Sequence, residues 1–218
     1  MASNGFIPAL RFDSLTPFYD KVVRLTSREK AFKSALLAGA RIERQHRLLD
    51  LGCGTGTLTI LAKDLVPDAE VTGLDADPKV LEIARGKAAD TRLDLHFDQG
   101  MSHLLPYPDA SFDRVISSLC FHHLDRPAKI ATLNEVKRVL KSEGELHIAD
   151  WGRPSNSLMS IASYAVKLLD GFETTGDSFA GLLSTLLGEA GFERVEEDLR
   201  NFDTLFGTIR IHRSIKEL

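Results

Sequence analysis

The sequence predicts a doubly wound α/β fold, a mostly parallel sheet of seven strands with helices on both faces and an antiparallel C-terminal hairpin at one edge. Three observations predict it. Between residues 46 and 150, short β-rich runs take turns with stretches of helical periodicity, the pattern of parallel strands joined by helices. The first β-rich run leads straight into three alternating glycines, Gly52, Gly54 and Gly56, and then into a helix. Near the end of the chain, two strand-like runs are separated only by Arg200-Asn201-Phe202-Asp203, which suggests an antiparallel pair.

Residues 1–46 read as an N-terminal helical cover. Ala31, Phe32, Ala35 and Leu36 recur at helical spacing after Ser27, a cap with Glu29 and Lys30 in the first turn, and Gly39 marks the stop. In the core, residues 47–151, the expected strands are 47–51, 70–74, 93–97, 112–118 and 144–150, and the helices are 57–65, 78–88 and 127–140. The last stretch, 152–218, opens with Leu158, Met159, Ile161, Ala162, Ala165, Val166 and Leu169 on one helical face. Lys167 is the lone cation on the opposite face, too little for anionic lipid, so this segment reads as a lid packed over a pocket. A helix over 179–189 and strands over 194–199 and 204–211 complete the chain.

A length of 218 residues favours a single domain, and 43% apolar with 27% charged residues removes fibrous, disordered and disulfide-scaffold readings. With 27 Lys+Arg against 31 Asp+Glu the net charge is -4, which argues against general capture of nucleic acid. No apolar run is long enough to span a bilayer, and residues 1–10 lack the pattern of a secretory leader, so stable membrane insertion is not expected. The two cysteines, Cys53 and Cys120, match neither a disulfide framework nor a four-ligand zinc pattern, and the expected setting is a reducing cytoplasm. Oligomeric state is left open.

The run Leu48-Leu49-Asp50-Leu51-Gly52-Cys53-Gly54-Thr55-Gly56 requires a sharp turn at the end of a strand, where glycine admits positive φ and lets a ligand approach the main chain. A dinucleotide fingerprint needs its third glycine at position 57, which is Thr57, and no Gly-Lys-Ser/Thr follows to make a phosphate loop. One strand and one helix later stands Asp75, placed to accept from both hydroxyls of a ribose. Asp77, directly before Pro78, is the better helix cap. Asp50, Asp75 and Asp77 together repel phosphate and select a nucleoside without a pyrophosphate, preferably one bearing positive charge.

The glycine run, Gly73-Leu74-Asp75, Leu105-Pro106-Tyr107-Pro108-Asp109-Ala110-Ser111-Phe112-Asp113 and Leu119-Cys120-Phe121-His122-His123-Leu124 stand in one order and spacing. Together they resemble the class I S-adenosylmethionine-dependent methyltransferases, in their methyltransferase type 11 and ubiquinone/menaquinone-biosynthesis-like branch. The resemblance implies a Rossmann-like fold and S-adenosyl-L-methionine as cofactor. It implies that Gly52, Cys53, Gly54 and Gly56 face the methionine part, that Asp50 reaches its amino group through water, and that Asp75 holds the ribose beside Ala76 at the adenine. Ser118 matches a strand-end position facing the amino-acid moiety, and Tyr19 an aromatic residue that closes over the cofactor. Relatives commonly carry an adenine-binding Asp where this chain has Gly100-Met101-Ser102. Met101 can lie against the adenine face and the Ser102 backbone N–H can reach a ring nitrogen, whereas Asp98 lies three residues early.

No catalytic residue is assigned by the motifs. His122 and His123 are candidates for a general base, with helix-start packing as the plain alternative, and Asp150 with Trp151 at a strand end could line the acceptor pocket. Adjacent side chains diverge, so Cys120 with the two histidines is not read as a metal site. Cys53 is not read as a nucleophile, because attack on a sulfonium methyl needs none. The expected acceptor is a small or lipophilic metabolite, methylated by direct in-line displacement. Two rivals stand beside this reading: a methyltransferase-like module that binds cofactor without an acceptor, and a nicotinamide-dependent oxidoreductase, disfavoured by Thr57.

Overall fold

The computed structural model describes residues 29–217. Tyr19 and the Ser27 cap fall outside the described residues. The first described element, α1 (Glu29–Ala40), buries Phe32, Leu36 and Ala40. It runs past the expected stop at Gly39, whose added Cβ would meet only His147 Nδ1 at 3.8 Å. The chain turns instead at Arg41, which adopts a φ of 43°.

The core then alternates as expected: β1 (Arg47–Leu51), α2 (Thr57–Leu65), β2 (Glu70–Asp75), α3 (Pro78–Ala89), β3 (His96–Gln99), β4 (Phe112–Ser118), α4 (Arg126–Val139) and β5 (Leu140–Trp151). After β5 come α5 (Ser157–Asp170), α6 (Phe172–Ala180), α7 (Leu183–Glu189), β6 (Glu193–Glu197), the two-residue β7 (Phe202–Asp203) and β8 (Thr208–Ile215). The sheet order is β3-β2-β1-β4-β5-β8-β6, with β7 pairing β8 off this path. Strands β1 to β5 are mutually parallel, and β8 is antiparallel to both β5 and β6. The seven-stranded path matches expectation, and β7 adds an eighth short strand.

Leu48 to Leu51 form an unbroken buried run because both faces of β1 are covered. Leu48 packs with Phe32, Leu36, Leu58 and Ile116 on one face, and Leu49 and Leu51 with Leu133, Val136 and Leu186 on the other. The chain winds one way from β1 to β2 and back to β4 on its other side. That reversal opens a crevice at the carboxyl ends of β1 and β4.

Several boundaries differ from expectation for local reasons. β3 starts three residues late, after a turn in which the Thr91 hydroxyl bonds Ala88 O. β5 starts four residues early at Leu140, paired with Phe112 across a register shift. The helix expected at 179–189 is two helices, divided at Gly181 with φ 75°. The last strand begins at Thr208 because Thr204 N donates to Gly207 O at 2.9 Å, making a turn where a strand was expected. In helix α5, expected as a lid, Met159 and Val166 are buried, Leu158, Ile161 and Leu168 face solvent, and none of the residues whose side chains are described lines the cleft described below. Helix α6 packs against the turn carrying His122 and His123. Among the described residues no helix is long and apolar enough to cross a membrane.

Candidate functional site

At the end of β1 the backbone enters the left-handed region at Gly52 (φ 69°), Gly54 (φ 53°) and Gly56 (φ 75°). The three glycines are required for different reasons. A side chain at Gly52 would run into Cys120, and a Cβ at Gly56 would sit 2.9 Å from Ala84 Cβ, so both are packing glycines. At Gly54 an added Cβ would meet nothing within 4 Å. Gly54 therefore presents open backbone, the feature a ligand uses.

Asp75 closes the far side of this loop. Its Oδ2 accepts from Gly54 N at 2.8 Å and its Oδ1 from Asp77 N at 3.0 Å, while Asp77 Oδ1 caps α3 by accepting from Lys79 N at 2.8 Å. Burial pushes the Asp75 carboxyl up, and the two backbone donors pull it back. Lys87 braces the loop from α3, donating to the hydroxyls of Thr55 and Thr57, each at 3.0 Å.

These elements bound a cleft of about 330 Å³, near the small end of the roughly 300–1,000 Å³ usual for small-molecule sites. Gly52, Cys53, Gly54, Asp75, Ala76, Met101, Ser102 and Ser118 all stand on its wall. Asp50 and Gly56 do not. Asp50 lies beneath the loop, 1% exposed, with Oδ2 accepting from Thr59 Oγ1 at 2.6 Å and Oδ1 without a hydrogen-bond partner among the described residues. Its burial raises the carboxyl to about 6, against the opposing pull of Thr59 and Lys33. Asp98 is committed elsewhere: its Oδ2 accepts from the Tyr107 hydroxyl at 2.9 Å, and it does not line the cleft.

The residues present fit an adenosyl amino acid. Ser118 Oγ is shielded from solvent with no hydrogen-bond partner among the described residues, an orphaned polar atom on the cleft wall. Gly54 offers open backbone and Asp75 a carboxylate at the neighbouring strand end. Met101 and Ser102 supply an apolar side chain and a backbone N–H, the Ser102 hydroxyl being paired with Thr132 Oγ1 at 2.8 Å. Burial pushes the thiols of both Cys53 and Cys120 up, so neither is a thiolate.

The two histidines divide. His123 lines the cleft, and His122 is buried behind it, the two rings 3.9 Å apart. His122 Nδ1 donates to Asp150 Oδ1 at 2.6 Å, and the backbone N–H groups of His122 and Trp151 also bond this carboxylate. Burial alone would raise Asp150, but the adjoining His122 holds it below the usual range, so it is an acceptor. Burial, and then His122, lower His123 to about 3, leaving a neutral imidazole on the wall. Asp150 and Trp151 thus orient the histidine turn and do not line the cleft themselves.

Sequence reasoning missed several wall residues, among them Glu29, Lys33, His103 and Asp125. Glu29 and Lys33 of α1 form a buried i, i+4 ion pair that reaches the cleft. The available signal was their spacing beside Phe32 and Leu36, which shares a face with the apolar residues.

Residues 48–144 match the model of a methyltransferase domain family. The demethylmenaquinone methyltransferase of Deinococcus radiodurans is 34% identical over 67% of this chain and 61% of its own length. That of Thermus thermophilus is 35% identical over 69% and 68%. The chain thus spans about three-fifths of the Deinococcus relative. Among solved structures, an S-adenosylmethionine-dependent methyltransferase from Methanosarcina mazei superposes with a TM-score of 0.66 at 21% identity, covering 81% of this chain and 95% of that one. The phosphoethanolamine N-methyltransferase 2 of Haemonchus contortus, solved with S-adenosyl-L-methionine, has a TM-score of 0.67 at 15% identity, covering 86% and 53%.

Proposed function

The chain belongs to the class I S-adenosylmethionine-dependent methyltransferases, and on that premise we propose that it transfers the cofactor's methyl group to a lipophilic, quinone-type acceptor. The observation that carries the cofactor reading is Asp75, which holds Gly54 N–H at 2.8 Å from the adjacent strand end in a cleft with no phosphate loop. The relatives named as demethylmenaquinone methyltransferases support the acceptor class.

When bound, S-adenosyl-L-methionine supplies an electrophilic methyl carbon that the acceptor's electron pair takes in line, sulfur keeping the bonding electrons. Each Asp75 oxygen keeps acceptor capacity beyond its one backbone N–H, enough for the two ribose hydroxyls. Met101 and the Ser102 N–H serve the adenine; Ser118 Oγ and the backbone at Gly52 to Gly54 serve the methionine part. Aligning two reactants contributes on the order of 7–11 kcal/mol, so holding the acceptor matters more than any acid or base.

His123 is our candidate for accepting a hydrogen bond from the hydroxyl of a hydroxylated acceptor and so orienting it, since a ring held down to about 3 does not keep the proton. It is neutral, stands on the wall, and is steadied by His122, itself anchored on Asp150. We treat residues 1–218 as one methyltransferase domain, since one sheet draws strands from residue 47 to residue 215. Two unpaired thiols fit a cytoplasmic setting.

Calorimetry with S-adenosylmethionine, S-adenosylhomocysteine and NAD, followed by labelled methyl transfer to a demethylated naphthoquinol, tests the proposal. Binding of the sulfonium and its product, no binding of NAD, and label in the quinol are expected. NAD binding alone would overturn the cofactor reading, and cofactor binding with no transfer across hydroxylated aromatic acceptors would overturn the acceptor class.

A further inference from the structure

We propose that Lys129 of α4 is a positioning residue for the acceptor: by tying α6 to the histidine turn it fixes where the His123 ring stands. This rests on His123 orienting the acceptor hydroxyl. Lys129 is 1% exposed and does not line the cleft, although Asp125 and Ala128 just before it do. Its Nζ donates to Thr174 O at 2.7 Å and stands 3.7 Å from Asp177 Oδ2, both on α6. Asp150, the carboxylate that holds His122, is also close by. Burial disfavours the Lys129 ammonium, and Asp177, Asp150 and Asp125 favour it in return. One cation thus faces both supports of the histidine turn, α6 and Asp150.

Stability does not account for a lysine at this position. Desolvating an ammonium offsets what its pairing returns, and a well-packed apolar side chain of similar volume is often as stable or more so. Helix α6 nevertheless needs fastening, because its buried residues include Thr174, Thr175 and Ser178, which offer little apolar surface to seat it. Its aromatic contact lies at the far end, where Phe179 stacks on Trp151 with ring centroids 6.1 Å apart. Lys129 holds the near end, at Thr174. Between these two points α6 packs on the turn carrying His122 and His123, and the His122 ring meets Trp151 edge-on at 6.3 Å. Without the ammonium, the first turn of α6 loses its bond across to α4, and Asp150 loses a facing cation. The His123 ring then shifts, which an acceptor hydroxyl feels and a cofactor held at Gly54 and Asp75 does not.

The test is a double-mutant cycle in kcat for labelled methyl transfer to a demethylated naphthoquinol, with Lys129→Met, His123→Ala and both together in the full chain. Lys129→Met is expected to lower kcat by roughly 3- to 10-fold, the range of one lost hydrogen bond. The double variant is expected to be no slower than His123→Ala alone, to within about twofold, since Lys129 acts through that ring. S-adenosylhomocysteine should bind each variant within about threefold of the unaltered chain. In the cofactor-free protein, the ring resonances of His122 and His123 should move in Lys129→Met, while those of His46 and His96, at the amino ends of β1 and β3, stay in place. Losses that multiply in the double variant, an unchanged kcat in Lys129→Met, or His123 resonances that do not move would each overturn the proposal and leave Lys129 a strut between α4 and α6. Asp177→Asn, which alters the more exposed member of the ion pair, carries the same cycle if the methionine variant does not fold. Failure of the unaltered chain to methylate any hydroxylated acceptor would overturn the acceptor reading and this role with it, whereas transfer by that chain with multiplying losses removes the role of Lys129 alone.

Discussion

Replacing Asp50 with asparagine is expected to raise the stability of the chain at neutral pH and to lower it in acid. The reason is the position of the carboxyl, 1% exposed beneath the glycine loop with one oxygen on Thr59 Oγ1 and the other unpartnered among the described residues. Burial raises it from 3.8 to about 6. A folded-state value above the unfolded one means that the native state binds this proton more tightly. The associated stability is complete below pH 3.8 and is lost as pH rises through 6. A shift of this size is worth ~3 kcal/mol at pH 7, of which ~2 kcal/mol disappears between pH 4 and 7. Asparagine carries no charge to desolvate and its carbonyl can still accept from Thr59, although its buried amide N–H groups cost ~1 kcal/mol or more for want of an acceptor. The stability difference between variant and wild type should therefore move in the variant's favour by ~2 kcal/mol across that window. Urea denaturation of both proteins at pH 4.5, 6.0 and 7.5 measures it, and taking the difference cancels the titrations they share. A difference that is flat with pH to within about 0.5 kcal/mol would refute the claim that Asp50 is ionised at a cost in the folded chain.

Removing the Asp75 carboxylate, as Asp75→Ala, is expected to weaken S-adenosylhomocysteine by ~1–3 kcal/mol by leaving buried donors unpaired, and calorimetry showing unchanged affinity would remove Asp75 from the ribose site. Gly54→Val should abolish binding, since the new side chain both strains a φ of 53° and enters the open face of the loop; a variant of full affinity would show that no ligand approaches there. His123→Ala should lower kcat by roughly 10-fold with S-adenosylhomocysteine affinity within about threefold, if His123 orients the acceptor by a hydrogen bond. Because His123 is held down to about 3, the kcat profile should show no acidic limb from an ordinary histidine between pH 5 and 8; such a limb, lost in the variant, would contradict a neutral imidazole.

How much of this was legible in the sequence depended on whether the cause lay nearby in the chain. The turn after β1 was legible because Leu48 to Leu51 and the three glycines are contiguous, and Asp75 because it ends the next strand. Gly181 was passed over inside an apolar run, although its left-handed conformation divides α6 from α7. Gly39 misled in the opposite way, since it sits in regular helix and the turn falls on Arg41. Lys33 was illegible as a site residue for a different reason. Its spacing beside Phe32 and Leu36 marks a position next to the apolar face, but only the docking of α1 across the sheet carries it onto the cleft.

His122 and His123 show where the reading of chemistry stops. As neighbours they have the same local sequence and an equal claim to catalysis. Only the packing of the turn against α6 and β5 sends one ring to Asp150 and the other to the cleft. The proposed methyl transfer from a sulfonium would make this gap unavoidable: charge is cancelled rather than created, so such a reaction demands alignment and little else from side chains. Cofactor recognition needs glycines that admit a ligand and a carboxylate for a sugar, and both leave a mark in the chain. Alignment of an acceptor needs a surface assembled from α1, the histidine turn and the loop after β3, segments up to about a hundred residues apart, whose shared wall exists only once the sheet has formed.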